Sequence, residues 1–227
     1  MIFSQYRDQM REGLWDNNVA LSQMLALCPM LAVTSTATNG LGMGIATLAV
    51  MILANLTISL LRGIIPSEVR LPVFVMLVAA IVTLVDMYLN AYLHQLHKVL
   101  GLFIALIVTN CAVFARVESF AYHQPVNKSI ADGLFMGLGF TFALVIIGAV
   151  REVFGSGTLF AGASLLLGES FSFLELKLID NYDGFLLMIL PPGAFIALGF
   201  ILAGKRLIDA RMARAEEAEL EPSTQNQ

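Results

Sequence analysis

The sequence predicts an all-α integral membrane protein in which six transmembrane helices, the first and fourth discontinuous, form two inverted three-helix repeats. Three observations carry this. The 227 residues are 58% hydrophobic and only 13% charged, with a mean hydropathy of +0.79, well outside the range of soluble domains. Six stretches reach or approach the roughly 17–25 apolar residues of a membrane helix: residues 19–36, 41–61, 71–93, 99–115, 129–150 and 184–203. Finally, Asn39-Gly-Leu-Gly-Met-Gly44, opening the second stretch, returns as Asp132-Gly-Leu-Phe-Met-Gly137, opening the fifth. Lipid offers the backbone no hydrogen-bond partners, so the spans must be helices. An odd number of spans per half turns the two copies opposite ways, the layout that places sites near the midplane where discontinuous helices meet. The membrane domain covers residues 1–206, with repeats over about 13–95 and 96–206, and residues 207–227 read as a charged, disordered tail whose start, from Lys205, is a short charged helix before the polar Pro222 to Gln227.

Taken in order, the opening residues mix Arg7, Asp8, Arg11 and Glu12 and lack the layout of a cleavable signal peptide. Gly13-Leu-Trp-Asp-Asn-Asn18 reads as an interfacial approach, with Trp15 at headgroup level and Asp16, Asn17 or Asn18 as helix N-cap. The first span runs into Cys28-Pro29. Proline there removes an amide donor and clashes with the carbonyl of Leu25, while Thr34, Ser35, Thr36 and Thr38 offer hydroxyls to the freed groups. A kinked span and a discontinuous helix lining a site both fit.

In the second span, Gly40 and Gly44 are four apart and allow close helix approach. Pro72 suits the first turn of the third span. That span contains Asp86 near its outer end, beside Tyr88, Asn90 and Tyr92. It is either a solvated interfacial acid or a candidate for an ion path. His94, His97 and Lys98 read as an external turn rather than a metal site. The fourth span carries Thr109-Asn110-Cys111, polar groups that need partners at membrane depth. Between the fifth and sixth spans, Glu152, Glu169, Glu175, Asp180 and Asp183 alternate with apolar residues such as Phe171 and Phe173, as in an external loop lying on the membrane or on another subunit. The last span begins around Leu190-Pro191.

With the N-terminus inside, ten Lys and Arg fall in the inner segments and only Lys98, Arg151 and Lys177 in the outer ones, a positive-inside bias that places both termini in the cytoplasm. The net charge of −4 offers no basic patch to nucleic acid. There is no phosphate-binding glycine loop, His-Glu zinc motif or nucleophile elbow, so catalysis by this chain alone is not expected. The two cysteines, Cys28 and Cys111, fall at matching places in the first helix of each half. They are either small packing residues or metal ligands. A [2Fe–2S] cluster takes four cysteines, so a second membrane subunit with two mid-span cysteines would have to complete it. The residues by themselves leave three classes open: a redox subunit, a small inverted-repeat transporter or channel, and a redox-inert scaffold.

Gly13 to Asn18, the run Leu27-Cys-Pro-Met-Leu-Ala-Val-Thr-Ser-Thr-Ala-Thr-Asn39, Leu106 to Cys111, Arg116-Val-Glu-Ser-Phe-Ala121, Asp132-Gly133 and Arg151-Glu-Val-Phe-Gly-Ser-Gly-Thr-Leu-Phe160 resemble the NqrD/RnfE family over about residues 12–206. The Cys28 run is similar to its Rnf branch. The resemblance implies a subunit of an ion-translocating ferredoxin:NAD oxidoreductase, the Rnf complex, in the bacterial inner membrane. It further implies that Cys28 and Cys111 share a [2Fe–2S] cluster with an inverted homologue resembling RnfA, in a complex with RnfB, RnfC, RnfD and RnfG. On that reading Thr34, Thr36, Thr109 and Asn110 would tune the cluster by hydrogen bonds, and Asp86 would belong to the Na+ or H+ path. The acidic tail after Arg206 departs from the family pattern.

Overall fold

The computed structural model describes residues 9–92, 94–162, 176–177 and 184–220. A π-helical turn, Glu12–Asp16, leads to a short helix α1 (Leu27–Val33) and a long α2 (Ala37–Leu61). Then come α3 (Arg70–Tyr92), α4 (His94–Val108), and α5 (Cys111–Arg116), which continues as a π turn, Val117–Ala121. The chain closes with α6 (Val126–Ser156), a two-residue antiparallel pair β1 (Thr158–Leu159) and β2 (Leu176–Lys177), the short α7 (Leu186–Ile189) and α8 (Pro191–Leu220). By length and composition α2, α3 and α6 can each cross a membrane; the pair α4–α5, bent by 41° at Thr109-Asn110, makes a fourth if counted as one span.

The centre is the crossing of α2 and α6, the most extensive helix contact among the described residues. Both helices are apolar all round, as buried membrane helices are, and glycine lets their backbones meet. A Cβ on Gly40 would lie 2.8 Å from the carbonyl oxygen of Leu144, and one on Gly137 would lie 2.8 Å from a methyl of Leu48. Gly44 faces Thr141, and Gly133 faces Met51 and Ile52. As the residue number rises on one helix it falls on the other, so the two run antiparallel. The contacts are also reciprocal. Gly44 and Gly137 are matching motif positions; Gly44 meets Thr141 while Gly137 meets Leu48, which stands four residues after Gly44 as Thr141 stands four after Gly137. Near the ends, Gly148 packs on the carbonyl of Thr36, and Asn55 Nδ2 donates to the carbonyl of Ser129 at 3.0 Å.

The N-terminal segment is pinned to this pair. Asn18 is fully buried; its Nδ2 donates to Gly139 O at 2.9 Å and its Oδ1 accepts from the amides of Ala20 and Leu21. Asn18 therefore caps a turn, and the apolar stretch from residue 19 does not run on as one helix. Met24 (φ 52°) and Ala26 (φ 60°) take left-handed conformations, and α1 starts only at Leu27. The expected break at Pro29 is thus displaced. Pro29 sits in the first turn of α1, where no intrahelical bond is asked of its nitrogen, and the chain instead breaks on either side of α1. Helix α8 runs unbroken to Leu220, so residues 207–220 are helical, continuing the charged helix expected from Lys205, and residues 221–227 lie outside the described residues. Of the expected loop, residues 163–175 and 178–183 lie outside them as well.

Enlarging Gly40 or Gly133 to Leu should cost about 1–3 kcal/mol by overpacking, read as a lower thermal midpoint in detergent. Gly204→Leu is the control, since a Cβ there meets nothing within 4 Å.

Candidate functional site

Both cysteines stand at the starts of short helices that follow a break in the chain. Cys111 is the first residue of α5, and Asn110, in extended conformation, caps it by accepting the Ala112 amide on Oδ1 at 2.9 Å. Cys28 is the second residue of α1, whose N-cap is the left-handed Ala26. Helix α1 packs against α4, the helix that ends just before Asn110. Both thiols are free and exposed on the surface of this chain. A helix N-terminus presents unpaired amides and a positive dipole end, which favours a thiolate or another anion. Asn110 adds a further donor: it is 1% exposed, and its Nδ2 is buried with no hydrogen-bond partner among the described residues.

The other candidates divide between two places. Thr109 lies beside Asn110 at the break, exposed, with a long hydrogen bond to Leu106 O. Asp86 Oδ1 accepts from His97 Nε2 at 3.0 Å, tying α3 to α4 and correcting the reading of His97 as a plain turn residue. The Asp86 carboxyl borders a cavity of about 180 Å³ lined by Thr83, Gly101, Ala105 and Val108, so this cavity reaches to within two residues of Asn110. Thr34 and Thr36 belong elsewhere. Thr34 Oγ1 donates to Met30 O and accepts from Arg151 Nη1 at 2.7 Å, while Thr36 Oγ1 caps α2 by accepting the Asn39 amide. Their hydrogen-bonding capacity is used by the junction between α1 and α2.

That junction holds the residues the sequence did not flag. Arg151, expected in an outer segment at the end of the fifth span, is 1% exposed. Besides Thr34, its guanidinium donates to Leu31 O and to the carbonyls of Met188, Ile189 and Leu190. These are carbonyls at and beside the C-terminal ends of α1 and α7, which a membrane leaves without water. Glu152, expected in the loop, is fully buried; one oxygen accepts the Ala37 amide at the start of α2 and the other accepts from Ala161 N and Thr158 Oγ1. A cation meets helix C-termini and an anion meets a helix N-terminus, so each charge complements a dipole end. The available signal was an Arg-Glu pair ending an apolar run, with the Thr34-Ser-Thr36 cluster elsewhere in the chain to receive it.

A family profile described as "Rnf-Nqr subunit, membrane protein" matches residues 6–202. The chain belongs to the Rnf-Nqr family. It is 61% identical over 207 residues to a protein of Rhodobacter capsulatus named as a subunit of an ion-translocating oxidoreductase complex, an alignment that covers 91% of this chain and 85% of that one. The protein of the same name from Azotobacter vinelandii is 59% identical over 205 residues, with 90% and 86% covered. That of Pseudoalteromonas atlantica is 50% identical over 218 residues, with 96% and 94% covered. The Rnf-Nqr match spans both cysteines, both long glycine-bearing helices and the Arg151–Glu152 junction.

Arg151→Met should destabilise this Rnf-Nqr protein by about 3 kcal/mol or more, because it strands buried carbonyls at two chain breaks. Glu152→Gln keeps the shape and one acceptor and should cost about 1–2 kcal/mol. Unfolding in mixed micelles, followed by the fluorescence of Trp15, measures both.

Proposed function

We propose that this chain is a membrane subunit of an ion-translocating oxidoreductase complex, in which Cys28 and Cys111 supply two of the four thiolates of a [2Fe–2S] cluster shared with a homologous partner. The observation that carries the reading is the shared placement of the cysteines: each is an exposed thiol in the first turn of a short helix that begins at a chain break. Membership of a complex follows from the relatives' names. The residues fit such a group. Two thiols open to a neighbouring protein are half a ligand set, helix N-termini favour the negative charge of a thiolate-bound cluster, and the Asn110 Nδ2 is a donor without a partner among the described residues, next to Cys111.

When bound, the cluster supplies one-electron transfer at membrane depth. The rest of the proposal concerns this chain. Asn110 holds the start of α5 through Ala112 and keeps a donor for the sulfur ligand field. Thr109 flanks that position, while Thr34 and Thr36 act through the α1–α2 junction that sets where α1 and Cys28 stand. The reciprocal α2–α6 contacts support an inverted repeat of two three-span halves, with the partner related to RnfA and with RnfB, RnfC, RnfD and RnfG as further members of the complex. The positive-inside bias supports an inner-membrane protein with both termini in the cytoplasm. Asp86, paired with His97 beside the small cavity, is the group proposed for the path of Na+ or H+.

The test is low-temperature EPR with iron and sulfide counts on the anaerobically purified complex. A [2Fe–2S] signal lost in both Cys28→Ser and Cys111→Ser, with all subunits still present, is the expected result. An unchanged signal and iron count in either variant would return the cysteines to packing and favour a transporter or a scaffold. Asn110→Asp keeps the cap on Ala112 but exchanges the donor for a carboxylate oxygen. It should lower the midpoint potential by on the order of 50 mV, the equivalent of one hydrogen bond, read by redox titration of the same signal.

A further inference from the structure

A second site lies where the N-terminal turn meets α8. Leu21, Ser22 and Met24 from the N-terminal turn, and Gly199, Leu202, Ala203, Lys205, Arg206 and Asp209 from α8, enclose a groove of about 550 Å³, within the 300–1,000 Å³ usual for small-molecule sites. Its chemistry changes along its length. Leu21, Gly199, Leu202 and Ala203 make an apolar floor, Met24 stands 48% exposed along it, and Lys205 and Arg206 form the mouth.

The mouth stands where α8 leaves the hydrocarbon. The run from Ala194 to Ala203 is apolar, and the next charged residues are Lys205 and Arg206. Trp15 marks the same level: its indole N–H donates to Asp209 Oδ1 at 2.9 Å, and Lys205 Nζ stands 6.0 Å from its ring centroid. Tryptophan and basic residues at the end of an apolar helix define the headgroup region. Among the residues lining the groove, Asp209 alone carries a carboxylate, and it is engaged by the Trp15 indole. Arg211 and Arg214 follow on α8, both exposed, so four of the five charged residues from Lys205 to Arg214 are cations. Inside the groove, Gly199 leaves open space: a Cβ there meets nothing within 4 Å. Space along an apolar floor, below a pair of cations at headgroup level, matches a molecule with an acyl chain and a phosphate.

We propose that this groove binds one anionic phospholipid, with its phosphate between Lys205 and Arg206 and an acyl chain along Leu21, Met24, Gly199 and Leu202. The occupant comes from the bilayer rather than from solution, because the apolar floor continues below the level at which a soluble anion is hydrated. The site uses neither cysteine and stands or falls apart from the cluster reading.

The experiment is native mass spectrometry of the delipidated complex titrated with phosphatidylglycerol, phosphatidylethanolamine or inorganic phosphate. Wild type should hold one phosphatidylglycerol more than the Lys205→Gln/Arg206→Gln variant, whose affinity falls about five-fold for each charge removed. Gly199→Phe should abolish that lipid by filling the groove without touching its charges, and Arg206→Lys should retain it. Phosphatidylethanolamine should bind more weakly, and inorganic phosphate should not compete. Equal phosphatidylglycerol binding by wild type and Gly199→Phe would overturn the proposal, as would competition by inorganic phosphate. If Gly199→Phe releases another protein of the complex instead of a lipid, the groove belongs to a partner helix and the proposal also fails. Thermal midpoints of all variants in the same detergent separate loss of lipid from loss of fold.

Discussion

Lipid gives two apolar helices no hydrophobic reason to associate, so the α2–α6 crossing depends on dispersion at short range. Gly40, Gly44, Gly133 and Gly137 supply that range by removing side chains where the backbones meet. The remaining elements are hung on this pair: the N-terminal segment through Asn18 and Gly139, and the turn before α6 through Ser59, which donates to Gln124 O at 2.9 Å. Asp132, beside the glycine motif of α6, is paired with Arg116 at the end of α5 and is only 4% exposed. Matching faces of the two helices meet each other, so a substitution in one motif is felt by the matching positions of the other helix.

Around this centre the chain interrupts its helices, and each interruption leaves backbone groups that water cannot reach. Two solutions are used. At Thr109-Asn110 the repair is local, one asparagine carbonyl oxygen serving as cap. At the α1–α2 junction it is long-range, with Arg151 and Glu152 carried in on α6 to meet the Leu31 carbonyl, the Thr34 hydroxyl and the Ala37 amide. The difference has a consequence for the two thiols. Cys111 is positioned by its own neighbour in sequence, whereas Cys28 stands on a helix whose end is held by a residue more than a hundred positions away.

Much of this was legible in the sequence. Apolar runs of membrane length marked the long helices, the Gly-Leu-x-Met-Gly pair marked the two that cross, and Thr109-Asn110-Cys111 marked polar groups in need of partners, which Asn110 meets in part by capping a new helix. Pro29 misled, because a proline in an apolar run is read as a breaker, while in a first turn it is neutral; the true break needs Met24 and Ala26 in left-handed conformations that neither residue type advertises. Arg151 and Glu152 were misread for a different reason. Hydropathy treats a charged pair as the end of a span, and only the fold reveals that helix termini elsewhere in the chain come to neutralise it.

The hydrogen bonds of Arg151 join Leu31 and Thr34 to Met188, Ile189 and Leu190. In a chain threaded into the bilayer as it is made, the Leu31 carbonyl exists long before its donor Arg151 is synthesised. At about 5–20 residues per second, the ribosome needs on the order of 6–24 s to bridge that gap. Through that interval the start of the chain has no permanent tenant for this carbonyl and depends on the insertion machinery or on headgroup water. Arrival of the end of α6 is therefore what releases the first short helix from the translocon's care, and the carbonyls of Met188 to Leu190, made later still, meet a donor already in place.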